Sequence, residues 1–141
     1  MDKLKRKAVL VFTIILITVL AAIILFFFIP QDSQATKLVV VASTTFIPLD
    51  KPVKLTIKAI DDTGKIDSTR NDFVELYLTS VSYDKPSAQL STNKIRLIDG
   101  IGSVYIQGEV PEVVDITVQW KKGKSPLEPY NLHLFMGIGE E

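Results

Sequence analysis

The chain has 141 residues with 16 Lys and Arg against 16 Asp and Glu, one His and no Cys. A length of this order allows one compact domain plus a tail or anchor, and the missing cysteines exclude disulfides, thiolate metal sites and a Cys nucleophile. From Pro30 onward 12 basic residues face 15 acidic ones, which argues against nucleic acid as a partner, because phosphate binding needs a clustered basic surface.

Lys3, Lys5, Arg6 and Lys7 crowd residues 1–7 against Asp2 alone. Ala8 to Ile29 follows as 22 residues without a charge, a Gly or a Pro, 17 of them Leu, Ile, Val or Phe. At a rise of about 1.5 Å per residue the run spans about 33 Å, enough for a hydrocarbon core of about 30 Å. On an insertion scale its apolar side chains favour the bilayer by about 5–10 kcal/mol. Residues 8–29 are therefore expected to be a transmembrane helix whose partner is the lipid bilayer. The preceding basic cluster sets residues 1–7 in the cytoplasm and everything after Pro30 outside it. Two other fates of this segment are compatible with the residues. Ser33-Gln34-Ala35 offers the small residues a signal peptidase reads, although 22 residues exceed a usual h-region. Arg6-Lys7-Ala8 before Val9 resembles an archaeal type IV pilin processing site. The bulky run ending Phe26-Phe27-Phe28 lacks the small residues of close helix packing, which favours the lipid-facing anchor.

Residues 30–36 (PQDSQAT) read as a short polar linker, and residues 37–141 as an extracytoplasmic domain. The strand signal there is alternation. Val53, Leu55, Ile57 and Ala59 interleave with Lys54, Thr56 and Lys58, so one face is buried and the other wet. Similar runs are Leu38 to Ala42; Val74, Leu76, Leu78; Ile95, Leu97; Val104, Ile106; Ile116, Val118, Trp120; and Leu132, Leu134, Met136. Turn residues punctuate them: Asp61-Asp62-Thr63-Gly64, Asp99-Gly100 and Lys122-Gly123. Pro86, Pro111, Pro126 and Pro129 fall between runs, where no ladder hydrogen bond is lost. The expected fold is all-β, an antiparallel β-sandwich behind one N-terminal helix.

The order of these pieces resembles prokaryotic immunoglobulin-like domains of the invasin and intimin type. The residues carrying the resemblance are Ser43-Thr44-Thr45, Val53 to Asp62 with Gly64, Ala88-Gln89-Leu90-Ser91, Asp99-Gly100 with Val104 and Ile106, and Ile116 to Trp120. It covers roughly residues 40–120 and departs from the pattern in the longer apolar strand within Ser68–Ser80 and in the extra segment 126–138. The resemblance implies an immunoglobulin-like sandwich on a prokaryotic cell surface, expected to be archaeal rather than bacterial; the absence of cysteines fits either source.

Candidate chemistry is sparse. Asp61, Asp62, Asp67 and Asp72 could gather oxygens around calcium, but their spacing is not that of an EF-hand loop and turns favour Asp in any case. His133 is alone and faces away from the core, so neither a zinc site nor a catalytic triad is expected. No cofactor and no small-molecule substrate is evident. Trp120 is expected in the core, in phase with Ile116 and Val118. Phe73, Tyr77, Tyr105 and Phe135 fall on outward positions and form the candidate interaction surface. Lys121, Lys122 and Lys124 read as a solvated hairpin tip. The expected function is a non-enzymatic membrane-anchored surface module with an adhesion, envelope-scaffold or accessory-subunit role, its partner another envelope protein. The alternative is a pilin-like or archaellum-associated subunit of a filament machine.

Overall fold

The structure, a computed structural model, describes residues 2–29 and 33–138. The chain divides into two units, Met1–Asp32 and Ser33–Glu141. The first holds one helix, α1 (Asp2–Phe28), long and apolar enough by length and composition to cross a membrane. Its two hydroxyls find partners within the helix. Thr13 donates to the Val9 carbonyl at 2.8 Å and Thr18 to the Ile14 carbonyl at 2.9 Å, the bonding that lets such residues sit among apolar ones.

The second unit is a two-layer sandwich. Its strands are β1 (Lys37–Ala42), β2 (Phe46–Ile47), β3 (Val53–Ile60), β4 (Phe73–Ser80), β5 (Gln89–Leu90), β6 (Lys94–Arg96), β7 (Ile101–Gln107), β8 (Glu112–Lys122) and β9 (Tyr130–Met136). One sheet runs β1-β3-β7-β5 and the other β2-β9-β8-β4-β6. All pairings are antiparallel except β2 with β9. Alternation decides the core: Leu55, Ile57 and Ala59 of β3 meet Ile116, Val118 and Leu134 from the facing sheet, all without solvent exposure. Burying a side chain of this size stabilises by about 1.5–3 kcal/mol. The connection from β6 in one sheet to β7 in the other turns on Asp99 and Gly100, both at positive φ (52° and 81°), and is closed by the Ile98–Ile101 bridge. That is the geometry a two-residue turn needs to match strand twist, and the reason Asp-Gly serves there.

Both lateral sides of the sandwich are closed by a stretch of chain that changes sheets. Residues 37–47 start beside β3 as β1 and finish beside β9 as β2; residues 89–96 start beside β7 as β5 and finish beside β4 as β6. Because β6 pairs with Phe73, Val74 and Glu75, it lines three of the 8 positions of β4.

The folded unit begins at Ser33 rather than at residue 37. The Ser33 hydroxyl donates to Asp61 at 2.7 Å and the Thr36 hydroxyl to Asp62 at 2.8 Å. Thr36 N–H bonds the Ile60 carbonyl, while the Thr36 carbonyl accepts from Glu128 N–H. A polar composition that suits a linker also suits this role, since both hydroxyls and the Ala35 and Thr36 amides are taken up by residues far along the chain.

Candidate functional site: a buried ionic node and two outer faces

The loop before β4 buries three charges that the sequence places in a polar run. Asp67, Arg70 and Asp72 are each 2% exposed. The Arg70 guanidinium donates through Nη1 to Asp72 Oδ2 at 2.8 Å and to the Ser125 carbonyl at 3.0 Å. Through Nη2 it donates to the Ala35 carbonyl at 3.1 Å and to the Ser125 hydroxyl at 2.7 Å. Its Nε lies 3.6 Å from Asp67 Oδ2, an ion pair without a hydrogen bond. Asp67 is held separately by Ala35 N–H and by the N–H and hydroxyl of Thr69. Burial pushes the Asp67 carboxyl up, but those hydrogen bonds and the charge of Lys124 outweigh it and leave it below the usual carboxylate range. The Trp120 indole N–H completes the node by donating to Asp72 Oδ2 at 2.8 Å. Trp120 thus packs against the core as expected, with its polar edge satisfied.

The backbone must come close to the node to close it. Gly100 N–H donates to the Arg70 carbonyl at 2.7 Å, and a side chain at Gly123 would collide with the Asp72 carboxyl.

This arrangement accounts for the four aspartates. Asp67 and Asp72 flank Arg70, a cation supplied by the chain itself. Asp61 accepts from Thr63, Lys65 and Ser33, bonds led by the Thr63 hydroxyl that hold it well below the usual carboxylate range. Asp62 accepts from Thr36. Among the described residues no three of His, Cys, Asp and Glu come together as a metal-holding group. At the other end of the sandwich Glu112 is fully buried. It accepts from Ala88 N–H at 2.6 Å and from the Ser80 hydroxyl at 2.8 Å, so it pins the turn that follows β4.

The four outward aromatics divide between the sheets. Tyr105 stands on β7 of the four-stranded sheet, whereas Phe73 and Tyr77 on β4 and Phe135 on β9 share the outer face of the five-stranded one. Polar rows separate these three: His133–Asp115–Thr79 lies between Phe135 and Tyr77, and Glu75–Gln119 between Tyr77 and Phe73. Each ring on that face has a companion. Arg96 lies 5.7 Å over Phe73, Lys121 lies 5.1 Å over Tyr77, and Phe46 stacks on Phe135 at 5.3 Å. Lys121 also pairs with Glu75 at 3.4 Å, and its charge is stabilised first by the Tyr77 hydroxyl, which raises its pKa. Lys124 reaches the Thr69 hydroxyl, so two of the three lysines at this hairpin bind locally. His133 is 67% exposed and pairs with Asp115 across the β8–β9 ladder. Sequence reasoning missed Arg70 and Glu112. Opposite charges spaced Asp67-x-x-Arg70-x-Asp72 ahead of an apolar strand are the signal that could have found the node.

No protein-family model and no curated protein matches the sequence. Solved structures match the fold. A glycosyl hydrolase family 2 member from Bacteroides cellulosilyticus aligns with a TM-score of 0.62 at 13% identity, over 75% of this chain and 15% of its own. A β-glucuronidase from Parabacteroides merdae gives 0.57 at 11% identity, over 74% and 13%. The D00-D0 domain of intimin gives 0.53 at 16% identity, over 77% of this chain and 50% of its own. The chain thus spans a small part of the two hydrolases and half of the intimin structure. Identities this low show a shared fold and carry no activity across. The second unit is an immunoglobulin-like β-sandwich, and one apolar helix precedes it in the chain.

Proposed function

We propose that the protein is a membrane-anchored surface module: α1 spans the bilayer with its basic end in the cytoplasm, and the sandwich acts outside by binding another envelope protein. The observation that carries this reading is the order of the pieces. A basic cluster precedes 22 uncharged residues, and a domain complete in its own core begins at Ser33. The positive-inside rule gives the orientation. A binding role, rather than catalysis, is supported by the placement of the titratable groups. The buried ones are consumed in the Arg70 node and at Glu112, and the single histidine has one carboxylate partner on an open face.

The reading is tested by adding protease to right-side-out vesicles and determining the mature N-terminus by mass spectrometry. Degradation of the segment after Pro30 together with retention of Lys3–Lys7 is the expected result. Protection of that segment overturns the orientation. A mature chain starting at Val9 replaces the anchor with a filament subunit, and one starting near Thr36 replaces it with a released domain.

A further inference from the structure

The sheet-changing path of residues 89–96 leaves part of β4 without a neighbour. β6 covers Phe73 to Glu75, and the Leu76 N–H donates to the Asn93 carbonyl at 2.8 Å. Beyond that point the chain already belongs to the other sheet as β5. Among the described residues no strand flanks Tyr77–Ser80 on the side away from β8.

Alternation fixes which groups are left there. Odd positions turn their backbone toward β8, as the Val81 N–H does to the Val113 carbonyl. Even positions turn the other way, as the Leu76 N–H and the Asp72 carbonyl do. The Leu76 carbonyl, the Leu78 N–H and carbonyl and the Ser80 N–H therefore form a row with the spacing of a β-ladder. At Leu76 and Leu78 the row borders a groove of about 520 Å³ between β4 and the segment 86–93, lined by Leu76, Tyr77, Leu78, Pro86, Ala88 and Leu90 among others, with no charged residue in its lining. Leu78 and Leu90 are half-buried and belong to the margin of the core. The far wall is fixed, because Glu112 holds Ala88 N–H and the Ser80 hydroxyl at once.

We propose that this groove is a strand-docking site. It takes an extended, uncharged segment of another protein with apolar side chains at alternate positions. The segment extends the five-stranded sheet beside β4, end to end with β6. Only an extended backbone meets donors and acceptors at this spacing. The uncharged lining offers nothing to offset the desolvation of an ionised side chain, and Leu78 with Leu90 makes a floor for every second residue. Exposed edges are ordinarily shielded by charges, Pro or a bulge on the edge itself; Tyr77-Leu78-Thr79-Ser80 carries no charge and no Pro. The inference rests on the binding role proposed above and names the site and the chemistry of the partner.

The test uses the full chain in detergent micelles, where docking does not depend on membrane orientation, so its failure is distinct from a failure of the topology experiment. The probe is a blocked hexapeptide of alternating threonine and valine; the control peptide has lysine in place of valine. Amide hydrogen exchange is followed by NMR. With the threonine–valine peptide at millimolar concentration, exchange at Leu78 and Ser80 should slow at least ten-fold while amides of β1 are unchanged. Leu90→Lys, which puts a charge on the floor, and Thr92→Lys, which puts one at an exposed lining position, should both abolish the slowing. The proposal is overturned if neither amide slows, if the lysine peptide slows them equally, or if Thr92→Lys leaves the slowing intact.

Discussion

Replacing Arg70 by Met keeps the length of the side chain and removes its charge. Asp67 and Asp72, each 2% exposed, are then buried carboxylates without a cation. The Ala35 carbonyl and both oxygens of Ser125 lose their donor. Removing one partner of a buried ion pair costs about 3–5 kcal/mol, against a total stability of about 5–15 kcal/mol for a domain. At about 4–8 °C per kcal/mol for a domain near this size, the expected fall in the unfolding midpoint is roughly 12–40 °C. The assay is thermal unfolding of the full chain in detergent, followed by fluorescence of Trp120. It is the single tryptophan of the chain, and its indole donates into the node. Arg70→Lys keeps the charge but loses the fork and should fall between wild type and Arg70→Met. Arg96→Met is the control: its guanidinium lies over Phe73 on an outer face, and its loss should cost about 1 kcal/mol or less. If Arg70→Met costs no more than Arg96→Met, the node does not hold the fold together and the reasoning fails.

Three further outcomes follow from the same contacts. A fragment starting at Lys37 should be less stable than one starting at Ser33 by about 3 kcal/mol or more, because two hydrogen bonds to buried charged groups leave with Ala35; equal urea midpoints would refute this. Asp61 and Asp67 are both held below the ordinary carboxylate range. Their stabilisation is therefore present above the unfolded-state value of about 4 and is lost as the pH falls through their lower folded values. Asp67→Asn should flatten the loss seen on acid titration by circular dichroism. Ile57→Ala should cost about 2–5 kcal/mol in denaturant unfolding, since Ile57 has no exposure, while Lys54→Asp on the wet face of the same strand should change stability by about 0.5 kcal/mol or less.

What could be read from the chain was what depends on near neighbours. The alternation at Val53–Ala59 marked a half-buried strand, and Asp99-Gly100 marked a turn, because period and turn chemistry are local. β2 and β5 were not visible, since two residues cannot show a period and both exist only through distant partners, β9 and β7. The node was hidden for a related reason. Ser68 to Asp72 has the composition of an exposed loop, and charges are seldom fully buried unless paired; the groups that pair with Arg70 lie in part 35 and 55 positions away along the chain. The outward aromatics were found by alternation, which gives the face of a strand but not its sheet. Tyr105 could not be separated from Phe73, Tyr77 and Phe135 until the topology was known.

The way residues 33–38 are fastened decides how the sandwich would respond to tension. The Ser33 end of β1 is stitched to the loop between β3 and β4 through Asp61, Asp67 and Arg70, and to the segment before β9 through Glu128. Behind it come the six paired positions of β1 and β3, Lys37 with Ile60 through Ala42 with Leu55. A pull on Ser33 along the strand, resisted at the far end of the domain, loads these pairs in parallel instead of peeling them one by one. The stitched segment spreads the pull into both sheets before β1 can slide. Rupture then needs many short bonds to break together, which makes the fold a stiff link when stretched from its N-terminal end and a weaker one when β1 is peeled sideways.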